Sequence, residues 1–220
     1  MRLFVEGLFI KISGVTSEED ALFAVGLGAT AVGFEFAPGP RQVGVDMVRD
    51  TLKRLPYGAV SVGIFRQELP QRVVEVANTL GLTAVQIEGP TSLEQLRYVA
   101  DRVNTVIRTV PSSAAIDDAL ASAGVDYVLT PESDDHSSLV DSLAVYEHPG
   151  RTPVIASGGL TPSNVADVVQ NYPVFGVDVR AGVESTPGVK DAVRLGDFIA
   201  RARWAYDNSA VPRGDDFFAP

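Results

Sequence analysis

Polar and charged residues recur at the ends of short apolar runs, and their types suggest two kinds of chemistry. Lys11 and Ser13 close "LFIKIS" (8–13), and Glu35 closes "TAVGFEF" (30–36) with Arg41 in the loop that follows. Gln86 and Glu88 close "TAVQIEG" (83–89), Arg108 sits in "NTVIRTV" (104–110), and Thr130 ends "VDYVLT" (125–130). Ser157-Gly158-Gly159 end "TPVIASGG" (152–159), and Asp178 through Gly182 end "PVFGVDVRAG" (173–182). Carboxylates and a lysine suit proton transfer. Adjacent glycines let backbone N–H groups approach an anion, although glycines also make plain tight turns. A nucleophilic role for Ser13 needs a neighbouring base, and neither His136 nor His148 lies near it in sequence.

The elements that must position these residues alternate with a regular rhythm. Each β-branched run is followed by a helical pattern, from "SEEDALFAVGLG" after the first to "VKDAVRLGDFIARARWAYD" after the last. The strands are near-continuous apolar runs, as expected for a parallel sheet covered by helices. Repeated right-handed crossovers of this number close into an α/β fold, a (β/α)8 TIM barrel, as a single domain over residues 1–207 with a flexible tail over 208–220. A doubly wound open sheet is the alternative, but "SGVTSEED" lacks the glycine-rich turn that such folds place after strand one. In a barrel, the residues named above gather at the C-terminal ends of the strands. The loops after strands seven and eight are then the expected phosphate grip.

Composition narrows the function. A hydrophobic fraction of 45% and a charged fraction of 21% over 220 residues match a folded globular chain. The formal charge of −10 argues against a nucleic-acid partner, yet leaves room for a small anion in a locally positive pocket. The absence of cysteine removes disulfides, thiolate metal sites and a thiol nucleophile, and two histidines are too few for a histidine-rich centre. No metal and no cofactor are expected. The N-terminal run reads as a strand rather than a signal peptide, no run reaches the ~18 apolar residues of a membrane span, and a cytoplasmic location is expected.

The strand-end motifs resemble those of the phosphoribosylanthranilate isomerase family. "IASGGLTPSNV" and "GVDVRAGVESTPGVKD" look like its closing motifs, and "KISGVTSEEDA", "AVGFEFAPGPRQV", "VSVGIF", "AVQIEG" and "VIRTV" follow its strand ends in order. The resemblance implies an Amadori-type isomerisation of N-(5-phosphoribosyl)anthranilate in tryptophan biosynthesis, without cofactor, on a small phosphorylated sugar by a monomer or homodimer. It assigns the phosphate to Gly158, Gly159, Ala181 and Gly182, with Arg180 in place of a small polar residue beside them. Arg41 matches the arginine that meets the anthranilate carboxylate; Glu88 replaces a histidine, and Arg108 a lysine. Asp178 matches an aspartate on strand eight. Ser13 stands at the position of the family's catalytic cysteine, the general base, and Thr130 at that of its aspartate, the general acid. Hydroxyls are poor substitutes for either, so the expectation is impaired or altered activity, with Glu88, Asp178 or Glu35 as a replacement base. The alternative is a non-catalytic paralogue that binds a phosphorylated ligand.

Overall fold

A computed structural model of the chain describes residues 3, 7–110, 118–131, 139–141, 143 and 152–211. Eight parallel strands close into a barrel in chain order: β1 Phe9–Ser13, β2 Ala31–Glu35, β3 Val60–Phe65, β4 Ala84–Ile87, β5 Val106–Thr109, β6 Tyr127–Leu129, β7 Val154–Ala156 and β8 Gly176–Val179. The seam forms where β1 pairs with β8, setting Lys11 opposite Asp178. The expected (β/α)8 barrel is the observed one, and the open-sheet alternative is not.

The helices begin and end where local chemistry directs. Helix α1 (Glu18–Leu27) starts at Ser17, whose side chain accepts from the Asp20 N–H, and carries three acidic residues in its first turn. Helix α2 spans Val45–Arg54, and α3 (Pro70–Leu80) has proline in its first turn and Gly81 in the left-handed conformation at its end. Ser92 and Gln95 form a capping box for α4 (Leu93–Ala100). Helices α5 (Asp118–Ser122), α6 (Val165–Asn171) and α7 (Ala192–Asp207) complete the described layer. No described helix is long and apolar enough to cross a membrane. The acidic loop after β6 and most of the segment expected to be helical after it lie outside the described residues, as do both histidines and the tail from 212 onward.

Strand alternation sorts side chains into two cores. Ile10, Val32, Val85, Val106, Val128, Ala156 and Val177 pack between sheet and helices. Phe9, Ala31, Val62, Ala84, Ile107, Tyr127, Leu129 and Ile155 fill the barrel interior. Phe9 stacks on Phe175 and Tyr127 packs against it at a tilt, with ring centroids at 5.5 and 4.7 Å, and this aromatic cluster plugs the N-terminal half. Continuing the same alternation toward the C-terminal end turns the interior polar: Lys11 and Ser13 follow Phe9, Glu35 follows Ala31, and Asp178 follows Gly176. The barrel is therefore oily at one end and ionic at the other.

A short hairpin that the strand-and-helix rhythm did not reveal follows β8. After a single 3₁₀ turn, Ala181–Val183, strand β9 (Glu184–Thr186) pairs antiparallel with β10 (Val189–Lys190). "TPG" between two short β-prone runs is its signal in the sequence.

At the seam, Gly176 has no room for a side chain, since an added Cβ would collide with the Phe9 carbonyl oxygen and ring. Gly176→Ala is expected to destabilise the protein by ~1–3 kcal/mol through overpacking. A urea titration should show a lower midpoint with an unchanged slope.

Candidate functional site

The ionic end of the barrel is organised by Asp178. Its Oδ1 accepts from Lys11 Nζ at 2.7 Å and from the Ser13 hydroxyl at 2.6 Å, while Oδ2 accepts from the Ser157 hydroxyl at 3.0 Å. Lys11 Nζ also donates to Ser13 Oγ at 2.6 Å. All four residues are buried. Burial works to raise the Asp178 carboxyl, but Lys11 and Ser13 outweigh it and hold the group below the ordinary carboxylate value. Burial likewise pushes the Lys11 ammonium down from its ordinary value, against the opposing pull of Asp178. Strand alternation supplies these contacts, because β1, β7 and β8 each turn a polar residue inward at the same level.

A second cluster lies above the first. Arg41 grips both oxygens of Glu184, with Nε at 2.9 and 3.2 Å and Nη2 at 2.7 Å. This fork raises the Arg41 guanidinium and, against the cost of burial, lowers the Glu184 carboxyl. Lys190 Nζ, brought in by the hairpin, donates to Glu184 Oε1 at 2.9 Å, to the Ser13 carbonyl at 2.6 Å and to the Arg180 carbonyl at 3.4 Å. Three acceptors match the three ammonium hydrogens, so Lys190 ties the ends of β1 and β8 to the hairpin. Its burial pushes its pKa down.

A third group spans the mouth. Arg180 Nη2 donates to Glu88 Oε1 at 2.9 Å, and its Nε lies 3.2 Å from Glu35 Oε1. Glu88 also accepts from Gln86 Nε2 at 2.9 Å and from Arg66 Nε and Nη2 at 3.1 and 2.9 Å. Gly14, with φ +67°, makes this convergence possible, since a side chain there would strike Arg41, Arg180 and Glu35.

Beside these clusters opens a cavity of about 470 Å³ lined by Arg41, Ser157, Gly158, Gly159, Leu160, Thr161, Asp178, Val179, Arg180, Ala181 and Gly182. The loops after β7 and β8 thus share one wall. Gly158 and Gly159 take positive φ values of 93° and 61°, and a Cβ on Gly182 would drive into the Leu160 carbonyl. Asn164 fixes the first loop by accepting from the Thr161 N–H and donating to the Gly159 carbonyl, both at 2.8 Å. Among the described residues, no group of His, Asp and Glu is arranged to hold a metal ion.

The sequence-based candidates divide accordingly. Asp178, Arg41, Arg180 and the four-residue cradle (Gly158, Gly159, Ala181 and Gly182) line the cavity, Ser13 lies behind Asp178, and Glu88 belongs to the ionic chain. Two of the candidates stand away from the cavity. Tyr127 and Leu129 face the barrel interior while Val128 faces the helices, so alternation turns Thr130 away from the interior. The Thr130 hydroxyl donates to the Ser157 carbonyl at 2.7 Å and accepts from the Ser157 N–H at 2.6 Å, which makes it a bridge between β6 and β7 rather than an acid at the cavity. Arg108 caps the Ile87 and Gly89 carbonyls at 2.8 and 2.6 Å and does not line the cavity. Burial lowers its guanidinium pKa. Lys190 is the residue that sequence reasoning missed.

The family described as N-(5'phosphoribosyl)anthranilate (PRA) isomerase matches residues 10–201. The isomerase of that name from Thermotoga petrophila is 36% identical over 201 residues, covering 88% of this chain and 98% of the relative. The phosphoribosyl anthranilate isomerase crystal structure from Thermus thermophilus is 31% identical, with a TM-score of 0.76 over 88% of this chain and 98% of its own. A second isomerase structure, in complex with reduced 1-(o-carboxyphenylamino)-1-deoxyribulose 5-phosphate, is 33% identical with a TM-score of 0.75 over 90% of this chain and 99% of its own.

Because the Asp178 carboxyl is lowered in the folded state, its ionic contribution is complete above the unfolded carboxylate value of ~3.9 and is lost as pH falls through the lower folded value. The urea midpoint of the unaltered protein should drop below about pH 4. Asp178→Asn should start less stable and decline more gently in acid. Lys11→Met leaves the buried carboxylate unpaired and is expected to cost ~3–5 kcal/mol at neutral pH, much of it recovered in the double variant with Asp178→Asn.

Proposed function

The chain belongs to the phosphoribosylanthranilate isomerase family, and from that premise we propose that it isomerises N-(5-phosphoribosyl)anthranilate in tryptophan biosynthesis, with Asp178 as general base and at a reduced rate. The observation that carries this reading is the meeting of the glycine cradle and Asp178 in one cavity. The backbone of Gly158, Gly159, Ala181 and Gly182 suits a phosphate, and the sugar then extends over Asp178. Protonation of the ring oxygen breaks the bond from the anomeric carbon and leaves an iminium. Transfer of the proton on the adjacent carbon to Asp178 gives an enolamine, which tautomerises to the 1-amino-2-keto product.

Two features support the reduced rate. A carboxylate held below its ordinary pKa is a weak base toward a carbon acid. The described residues also provide no acid at the end of β6, where the Thr130 hydroxyl is tied to the Ser157 backbone. That second feature equally favours a non-catalytic ligand-binding role, which the assay separates. The activity needs no cofactor and suits a cytoplasmic enzyme.

Turnover of phosphoribosylanthranilate by the purified protein is the direct test. Measurable but slow turnover is expected, falling by a further ~10²–10⁴-fold in Asp178→Asn. Ser13→Cys should add a limb in the neutral-to-alkaline pH profile as a thiol titrates, whereas the unaltered enzyme should keep its base ionised well into acid. Thr130→Asp should not raise turnover, because position 130 is held against the Ser157 backbone and does not line the cavity. Binding of the phosphosugar without turnover in any variant supports the ligand-binding role; failure to bind it at all defeats both.

A further inference from the structure

Resting on the phosphosugar reading, the support of the glycine cradle indicates how its backbone donors are aimed. The turn that carries Ala181 and Gly182 is held through its carbonyls. The Arg180 carbonyl accepts from Lys190 Nζ at 3.4 Å, and the Ala181 carbonyl accepts from the Glu184 N–H. The Val183 carbonyl accepts from the Asp191 N–H at 2.9 Å, and the Glu184 carbonyl from Arg194 Nη1 at 2.7 Å. A trans peptide carries its C=O and N–H on opposite sides, so each carbonyl drawn back turns the next N–H forward. For the Arg180 and Ala181 carbonyls, those N–H groups belong to Ala181 and Gly182, which line the cavity. We propose that Lys190 is a positioning residue of this cradle, turning the Ala181 N–H toward a ligand phosphate and setting a positive charge behind it.

Lys190 differs from the other donors to this turn in carrying a buried charge, since its side chain is 1% exposed. The Ser13 carbonyl and Glu184 Oε1, at 2.6 and 2.9 Å, fix the ammonium in place. Its contact with the Arg180 carbonyl is the longest of the three, an ion–dipole attraction more than a tight hydrogen bond. Away from water such an attraction is weakly screened, so the ammonium polarises the Arg180–Ala181 peptide and makes its N–H a stronger donor to an anion. Nearby carboxylates do not cancel the charge. Arg41 and Lys190 share the one carboxylate of Glu184, and Asp178 on the same cavity is matched by Lys11. The support behind the cradle therefore keeps a net positive charge that suits a phosphate.

Calorimetric titration with two compounds tests this: reduced 1-(o-carboxyphenylamino)-1-deoxyribulose 5-phosphate, and the same compound without its phosphate. Lys190→Met leaves Glu184 its fork to Arg41, so no carboxylate is stranded. It should weaken the phosphorylated compound roughly 10- to 100-fold, the range of one charge-assisted hydrogen bond, and leave affinity for the phosphate-free compound unchanged. Lys190→Gln keeps a donor without the charge and should show the same selective loss to a smaller extent; it decides the question if the Met variant does not fold. In amide NMR spectra of the unaltered protein, the Ala181 N–H should move downfield when the phosphorylated compound is added, and by less in both variants. A merely structural strut would move both affinities together. Equal weakening of the two compounds therefore overturns the inference, as does undiminished affinity for the phosphorylated one. If the unaltered protein binds neither compound, or binds both equally, the phosphosugar reading falls as well.

Discussion

The C-terminal half of this barrel depends on one carboxylate taken out of water. An isolated buried carboxylate would cost several kcal/mol or would neutralise itself. Asp178 avoids both because the seam between β1 and β8 sets Lys11 opposite it, and β7 adds the Ser157 hydroxyl. Closure of the sheet and solvation of the charge are therefore one event: only the closed barrel brings the three donors together. Ser157 carries the effect further, since its backbone is held by Thr130 on β6. Four strands are coupled through a single side chain.

The charges above this hub form two chains with different characters. Arg41, Glu184 and Lys190 are closed on themselves, with forked geometry and with backbone carbonyls filling the remaining ammonium positions. Arg66, Glu88, Arg180 and Glu35 run open-ended from the solvent edge to β2, with one imperfect contact at the inner end. The first chain has the geometry of a fixed support. In the second, Glu88 shares Gln86, Arg66 and Arg180 and can lose one of them without being stranded, whereas the buried Glu35 depends on its ion pair with Arg180.

The fold was legible in the sequence because a barrel repeats one simple unit, and each strand end carried a residue worth noting. Gly158, Gly159, Asp178 and Arg41 could be gathered from chain order alone, since that order fixes which loops and strand ends they occupy. Thr130 and Arg108 were harder, because their roles turn on which side of a short strand they face. A three-residue strand such as β6 offers too few alternations to set the phase, and the apolar residues around it suit either core. Lys190 was invisible for another reason: its partners come from β1, β8 and the hairpin, at separations that no local pattern encodes. Hub contacts of this kind are tertiary by nature.

Ser13 shows how a single atom shifts chemistry between strands. A thiol is a weak hydrogen-bond donor, whereas a hydroxyl donates strongly and accepts as well. Ser13 uses both capacities, accepting from Lys11 and donating to Asp178 at 2.6 Å each. In doing so it steadies the Asp178 anion and helps to lower its pKa, which favours the closed barrel and weakens the base. It also leaves Oδ1 fully engaged, with two donors. Oδ2 accepts one hydrogen bond, from Ser157, among the described residues, and Asp178 is the member of the hub that lines the cavity. A carboxylate oxygen carries two lone pairs, so Oδ2 retains one for a substrate proton. The serine at the end of β1 thus supports a base that has moved to β8, at the expense of that base's strength.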